Sequence, residues 1–249
     1  MKRFLLFIHI ILITNVLAYS QDSFRLISSE RIPVDSRYDD EVNKSDKRFL
    51  ALYKSRMDRQ LNTMVANADS PIEADDPAGA LNYFCADLML KQIREVWQEP
   101  IDFSLVNNHA FRKALPEGPI TLADVYETLP FENEIVILQL KGSDVKRLFN
   151  TIARRQTESF SGAQIKVKDN NLASLLIGGK PLDEARVYTL VTIDYLAEGS
   201  GGMTPLKKAV ERYYTKIFLR DIIVKEMEAY SRRGKLLSPA IDNRFEILP

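Results

Sequence analysis

The sequence is poor in cysteine and histidine, the residues that form disulfides and bind zinc. Its 249 residues include one cysteine and two histidines. A single thiol cannot form an internal disulfide, so the fold must rest on its apolar core. Because a reactive thiol needs an activating neighbour, we interpret Cys85, on the apolar side of a predicted helix, as a buried core residue.

Motifs for hydrolysis are also missing. There is no zinc-type pairing of Cys or His, no H-E-x-x-H, no G-x-x-x-x-G-K-[ST] and no G-x-S-x-G. A two-metal site needs several His, Asp and Asn ligands, and His109 is the one histidine beyond residue 20. We therefore predict no catalytic residues and no cofactor or metal site, and we interpret His109 as a surface or polar-core residue.

Net charge is lacking as well. The chain has 34 basic and 34 acidic residues, and two of the basic ones, Lys2 and Arg3, lie at the N-terminus. Without them the remainder is slightly acidic. This balance argues against sequence-wide attraction to nucleic acid or to an anionic membrane.

The apolar run 4–17 is too short and wrongly flanked for a stable membrane span. It follows Lys2 and Arg3 and leads to Ala18-Tyr19-Ser20, whose small residues suit signal peptidase. We predict that residues 1–20 are a signal peptide, cleaved before Gln21, and that the protein is exported to the periplasm or beyond. A retained N-terminal anchor is the alternative.

The rest of the chain divides by composition. Residues 21–70 form a polar arm and an amphipathic helix over Phe49–Met64, whose apolar residues recur every three or four positions. The loop Ser70–Gly79 is the predicted boundary. Residues 71–249 alternate helix and strand patterns, which indicates an α/β domain with mixed sheets and flanking helices. The predicted elements are helices at 80–97, 121–129, 142–152 and 219–230, and strands at 103–106, 134–140, 163–167, 173–177, 187–193 and 244–248.

The stretch Val106–Phe149 carries the densest polar signals. A predicted strand is followed by a polar cluster of Asn107, Asn108, His109 and Arg112. Arginine can bind a carboxylate or phosphate through two parallel N–H···O hydrogen bonds. A capping-box pattern at Thr121-Leu-Ala-Asp starts a short helix, and Pro130-Phe-Glu-Asn leads into the next strand. Polar clusters at element ends, with an aromatic between them, predict a ligand pocket.

The order of these motifs resembles the C-terminal domain of the 5′-nucleotidase and UDP-sugar hydrolase family. The resemblance is carried by R-x-x-L-P-x-G-P-I-T-x-x-D-V-Y-x-x-L-P-F-x-N and K-G-S-x-V-K-x-L-F. It is extended by LNYFCADLML, by Phe160-Ser161-Gly162 and by GGKPLDEARVYTLVTIDYLA. It covers roughly residues 32–248 and implies the fold of that domain, preceded by the helix that links it to a catalytic domain in the family.

The resemblance implies a site for a nucleotide or nucleoside. Phe131 and Tyr195 match the two rings that stack on the base, and Asn133 matches the amide that reads a base edge. The remaining matches are residues that contact sugar or phosphate, or approach the base through the backbone: Asn107, Arg112 and Gly162. From the residues alone, the alternatives are core positions for both rings, a surface ion pair for Arg112 and a turn for Asn133.

The sequence also departs from the family pattern. Asn108, His109 and Ala110 replace glycines before the arginine, and bulkier residues there narrow a pocket. Gly201 stands where the family has the aspartate that grips the ribose, and Leu81 replaces the glycine of the entry helix.

Three functions follow from the resemblance. The first is a stand-alone C-terminal domain that positions a nucleotide for a separate metallophosphoesterase chain, which would hold the divalent metals. The second is a non-catalytic binding module for a nucleoside or nucleotide-sugar. The third is a degenerate domain that serves as an interaction scaffold.

Overall fold

The computed structural model describes residues 28–33, 35 and 44–249; the predicted signal peptide lies outside them. The helices are α1 Lys44–Leu61, α2 Ala80–Val96, α3 Leu122–Thr128, α4 Gly142–Arg155, α5 Asp194–Ala197 and α6 Leu219–Arg232. The strands are β1 Met64–Ala68, β2 Phe103–Val106, β3 Gly118–Thr121, β4 Glu134–Lys141, β5 Ser159–Ser161, β6 Ala163–Lys168, β7 Asn171–Ile177, β8 Lys180–Pro181, β9 Val187–Ile193, β10 Glu211–Phe218 and β11 Phe245–Ile247. Short 3₁₀ helices span Asn108–Ala110, Ser200–Gly202 and Thr204–Lys208.

The chain separates into two units, residues 1–52 and 53–249. Helix α1 crosses this division and buries none of its residues. The helix predicted over Phe49–Met64 is confirmed, but its bounds were wrong. It begins at Lys44, and it ends at Leu61 because Met64 already starts β1.

The predicted boundary loop, residues 70–79, lies within the second unit. Strand β1 precedes this loop but pairs with β3, Ala66 lying opposite Ile120. Ile72, inside the loop, exchanges both backbone hydrogen bonds with Leu115 at 3.0 Å and is almost fully buried. The buried side chain of Ile72 and its hydrogen bonds to Leu115 thus anchor this polar, proline-containing loop in the second unit.

A five-stranded mixed sheet forms the centre of this unit, in the order β10-β4-β9-β2-β5. Strand β9 runs antiparallel to β4 and parallel to β2. A second, four-stranded sheet has the order β11-β6-β7-β8. Helix α4 contacts strands of both sheets, and α2 packs on β2 and β5. The predicted α/β fold with mixed sheets and flanking helices is confirmed.

Three phenylalanines join the sheet to α4. The rings of Phe103 on β2 and Phe149 on α4 lie 5.4 Å apart, and Phe149 meets Phe160 on β5 edge-on at 5.2 Å. All three are almost fully buried, and such aromatic pairs stabilise beyond the apolar area that they bury. Cys85 on α2 is also buried, as predicted.

Within the described part of the chain, every helix falls short of the length and apolar character that a membrane span requires.

Candidate functional site

Three chain segments meet at one edge of the five-stranded sheet. Strands β2 and β9 are parallel, so their C-terminal ends lie at the same edge. Strand β4 is antiparallel to β9, with Ile135 opposite Ile193, so the start of β4 lies there too. The residues that follow β2 and β9 and precede β4 are therefore brought together, although they are far apart in sequence.

An open cleft of about 350 Å³ lies at this edge, within the size range of small-molecule sites. Its lining is formed by Asn107, His109, Ala110, Arg112, Phe131, Asn133 and Tyr195. Five of the six site residues that the sequence predicts are thus brought together.

Gly162 lies elsewhere. Its backbone has a φ of 80°, and a Cβ built on it would lie 2.5 Å from the backbone oxygen of Asp102 and 3.1 Å from the Cα of Phe103. These neighbours are at the start of β2, whereas the cleft is at its end. The close backbone approach at Gly162 therefore serves the packing of β2, and the residue is not part of the cleft lining.

The two aromatic side chains that line the cleft, Phe131 and Tyr195, are about half exposed to solvent. Phe131 is 43% exposed and Tyr195 is 45% exposed, so neither ring is a core residue. Phe131 comes from the loop between α3 and β4, and Tyr195 from the first turn of α5. Both rings line the cleft, and an exposed ring offers a π-face to a flat ligand.

Arg112 is held against the Phe131 ring. Its guanidinium carbon lies 5.0 Å from the ring centroid, a cation–π distance. Its backbone N–H donates to the Thr128 carbonyl at 2.9 Å. Arg112 also lines a second cleft of about 250 Å³ with Asp76 and Asn108, so this residue borders both clefts.

Asn107 shapes the turn that follows β2. Its side-chain oxygen accepts the backbone N–H of His109 at 3.0 Å and caps the 3₁₀ helix 108–110. His109 and Ala110 consequently face the cleft, where the family resemblance placed glycines. Both add side-chain volume to that wall of the cleft.

Asn108 faces the interior, where it contacts two acidic side chains. Its backbone N–H donates to the Glu158 carboxylate at 3.0 Å, and its side-chain amide donates to Asp76 at 2.6 Å. Glu158 is fully buried, and burial raises its pKa to about 7, against the lowering effects of the Asn108 N–H and of Arg155. The turn that carries His109 therefore rests on a buried carboxyl group.

Gly201 lies close to the same carboxyl group. It has a φ of 63°, and a Cβ built on it would lie 3.5 Å from a Glu158 oxygen and 3.5 Å from the Tyr195 ring. Its carbonyl accepts a hydrogen bond from Arg155. An aspartate at this position would be strained in the backbone and would place a second carboxylate near Glu158.

Asn133 and Tyr195 share one partner, Asp194. The Asp194 carboxylate accepts the side-chain amide of Asn133 at 3.0 Å and the backbone N–H of Tyr195 at 2.7 Å. The sequence prediction gave no role to Asp194 or Glu158. The position of Asp194 at the strand-to-helix junction was a usable signal, whereas nothing in the sequence marks Glu158 as buried.

In the described part of the chain, no group of three or more His, Cys, Asp or Glu side chains is arranged to hold a metal ion. The divalent metals that the family implies therefore do not fit the residues described, and no chemical step can be assigned to them in this domain.

The structure is an α/β domain with a cleft lined by two half-exposed aromatic rings together with arginine and asparagine side chains. Residues 60–208 match the family model for the 5′-nucleotidase C-terminal domain, and the chain belongs to that family. The family that the order of the motifs suggested is confirmed.

Three relatives illustrate the match. A 5′-nucleotidase of Vibrio vulnificus is 23% identical over 209 residues, which cover 76% of this chain and 37% of that protein. Protein UshA of Yersinia enterocolitica is 25% identical over 135 residues, covering 52% of this chain and 24% of that protein. The crystal structure of a 5′-nucleotidase precursor from Thermus thermophilus shares the fold with a TM-score of 0.70 at 23% identity. That match covers 81% of this chain and 43% of the other, so the chain spans less than half of each relative.

Proposed function

We propose that this domain binds a nucleoside or nucleotide in the cleft beside Phe131 and Tyr195, and that it supports nucleotide hydrolysis by a separate metallophosphoesterase chain. The observation that carries the proposal is the pair of half-exposed rings on one cleft. A base placed against them gains about 1–3 kcal/mol from stacking, with tolerance for different bases. In this arrangement Arg112 faces the sugar-phosphate part of the ligand.

Hydrolysis itself is assigned to the partner. The described residues offer no metal-holding group, and activation of water by metal ions needs one. The domain contributes by fixing the base and sugar, which lowers the entropic barrier to a reaction at the phosphate.

Export is the third part of the proposal. It rests on the basic start, the apolar run and the small residues of 1–20. The protein recovered from the periplasm or the medium is expected to begin at Gln21, as peptide mass spectrometry can show. Recovery from the cytoplasm with an intact Met1–Ser20 would contradict export.

A binding module without an enzyme partner is the second candidate. It is favoured by the fact that all seven lining residues come from this one domain, so binding needs no second chain. A scaffold without ligand is the remaining candidate, and Gly201 in place of the expected aspartate favours it.

Calorimetric titration of the chain with adenosine, uridine, AMP and UMP separates the two binding candidates from the scaffold. Binding of both a nucleoside and its nucleotide supports the cleft as the ligand site. If none of the ligands gives a heat of binding, only the scaffold candidate remains. Assays of AMP hydrolysis with Mn²⁺, Zn²⁺ or Mg²⁺ are expected to show no turnover by the chain alone. Robust AMP hydrolysis by the chain alone would contradict the proposal that a separate chain carries out hydrolysis.

A further inference from the structure

Asp194 contacts two residues that line the cleft, Asn133 and Tyr195. It is the first residue of α5 and immediately follows β9. One of its carboxylate oxygens accepts both the side-chain amide of Asn133, at 3.0 Å, and the backbone N–H of Tyr195, at 2.7 Å. Asn133 immediately precedes β4, which pairs with β9, so this contact spans the ends of two neighbouring strands.

This contact fixes which way the Asn133 amide points. The nitrogen and oxygen of an amide are otherwise interchangeable by a flip, and hydrogen-bond partners must decide between them. An ionised carboxylate only accepts hydrogen bonds, so the group facing Asp194 must be the NH₂ of Asn133. Flipping the amide would set its oxygen against the carboxylate oxygen, which would then keep only the Tyr195 N–H as a donor.

The side-chain oxygen of Asn133 is therefore left as an oriented acceptor for a ligand. Asn133 lines the cleft and is partly exposed. Within the described residues, no donor is found for its side-chain oxygen. Arg112 offers only donors, and the Asn107 oxygen is already used as a cap. The Tyr195 hydroxyl and the His109 ring also line the cleft and can accept a hydrogen bond. Unlike the Asn133 amide, however, neither is oriented by a contact with Asp194 through its polar atoms.

We propose that Asp194 is a positioning residue that turns the Asn133 oxygen toward the ligand, so that the cleft prefers bases that carry an exocyclic amino group. The inference rests on the proposed nucleoside-binding function and specifies its substrate class. Adenine, cytosine and guanine carry such a group. The unsubstituted purine ring lacks it but has the same stacking face.

Adenosine and purine riboside differ only by the 6-amino group, so their affinity ratio isolates this contact. Calorimetry of the full chain is expected to give adenosine an advantage of about 3–10-fold, the range of one hydrogen bond. Asp194→Asn keeps the shape of the side chain but lets the Asn133 amide flip, and the ratio is expected to fall toward one while purine riboside still binds. Asp169→Asn, in an exposed turn with a φ of 50° that asparagine tolerates, is the matched control and should leave the ratio unchanged.

Asn133→Ala provides a second route to the same answer if Asp194→Asn does not fold. It removes the oxygen and should also bring the ratio to one. Equal affinities of the unaltered chain for adenosine and purine riboside would overturn the inference and leave nucleoside binding intact. A ratio that persists in Asp194→Asn would overturn the role of Asp194. Failure of both ligands to bind the unaltered chain would instead overturn the proposed function, and the inference with it.

Discussion

The guanidinium of Arg112 lies over the ring of Phe131, 5.0 Å from its centroid. One face of the ring is therefore occupied by a cation, and a flat ligand must use the opposite face or displace the guanidinium. The contact also holds the loop that carries Phe131 against the turn after β2. Arg112 thus combines a structural contact with a side chain of five N–H donors in the lining of the cleft.

Arg112 is expected to contribute more to the affinity for a nucleotide than to the affinity for a nucleoside. Replacing Arg112 with Ala is expected to weaken AMP binding by about 10–100-fold, because a charge-assisted bond to phosphate contributes roughly 1.5–3 kcal/mol. Adenosine should lose less. Arg112→Lys keeps the charge but not the two-pronged geometry, so it should recover AMP binding only in part. Calorimetric titration with AMP and adenosine measures both effects, and equal losses for the two ligands would show that Arg112 acts only through Phe131.

The two rings should contribute through stacking. Phe131→Ala and Tyr195→Ala are each expected to weaken adenosine binding by about 5–150-fold, corresponding to 1–3 kcal/mol per base. Tyr214→Ala is a matched control, since Tyr214 is 46% exposed against 45% for Tyr195 and does not line the cleft. Isothermal titration would contradict the stacking arrangement if Tyr214→Ala cost as much as either ring.

Glu158 should make stability depend on pH near neutrality. Its pKa is raised by burial from 4.5 to about 7, so the folded state binds the proton more tightly than the unfolded state. The free energy of unfolding is therefore expected to fall as pH rises from about 5 to above 7, by on the order of 3 kcal/mol for this group. Denaturant titrations at a series of pH values measure the slope.

The variant Glu158→Gln tests whether Glu158, and not another titratable group, causes this pH dependence of stability. Glutamine stays neutral and keeps an oxygen for the Asn108 N–H, so the fall in stability between about pH 5 and 7.5 should flatten. An unchanged slope in Glu158→Gln would show that another group is responsible. The matched variant Glu127→Gln, at an exposed position on α3, should keep the slope of the unaltered chain.

The cap of α3 should contribute measurably to stability. Thr121 and Asp124 form a reciprocal capping box, with the Asp124 carboxylate accepting the Thr121 N–H at 2.9 Å. Thr121→Ala is expected to cost about 1 kcal/mol of unfolding free energy, measured in urea. Thr151→Ala removes a hydroxyl that bonds only to a carbonyl within α4, and it should cost clearly less. A comparable cost for both variants would mean that the capping box adds nothing of its own.

The elements predicted from the sequence are those with strong local signals. The helix over 142–152 is confirmed by its apolar spacing, and the strand 187–193 by its continuous apolar and β-branched run. Strands β1, β3, β5, β8 and β10 were missed. Among the strands that the structure describes, β10 pairs with β4 alone, and it exposes residues on both faces. It therefore lacks the alternating pattern from which a strand is recognised.

The sequence by itself determined the alternation of helices and strands, because spacing and local chemistry encode it. The order of its motifs carried the resemblance to the family, and that resemblance implied five of the residues that line the cleft. The tertiary structure decided which of those residues meet. Pairing of β9 with β2 and β4 brings Asn107, Asn133 and Tyr195 to one edge and leaves Gly162 at the other end of β2. It also decided that Asp194 orients Asn133 and that Glu158 is buried. Contacts between residues 50 or more positions apart depend on how the sheet is assembled, and no local pattern records that.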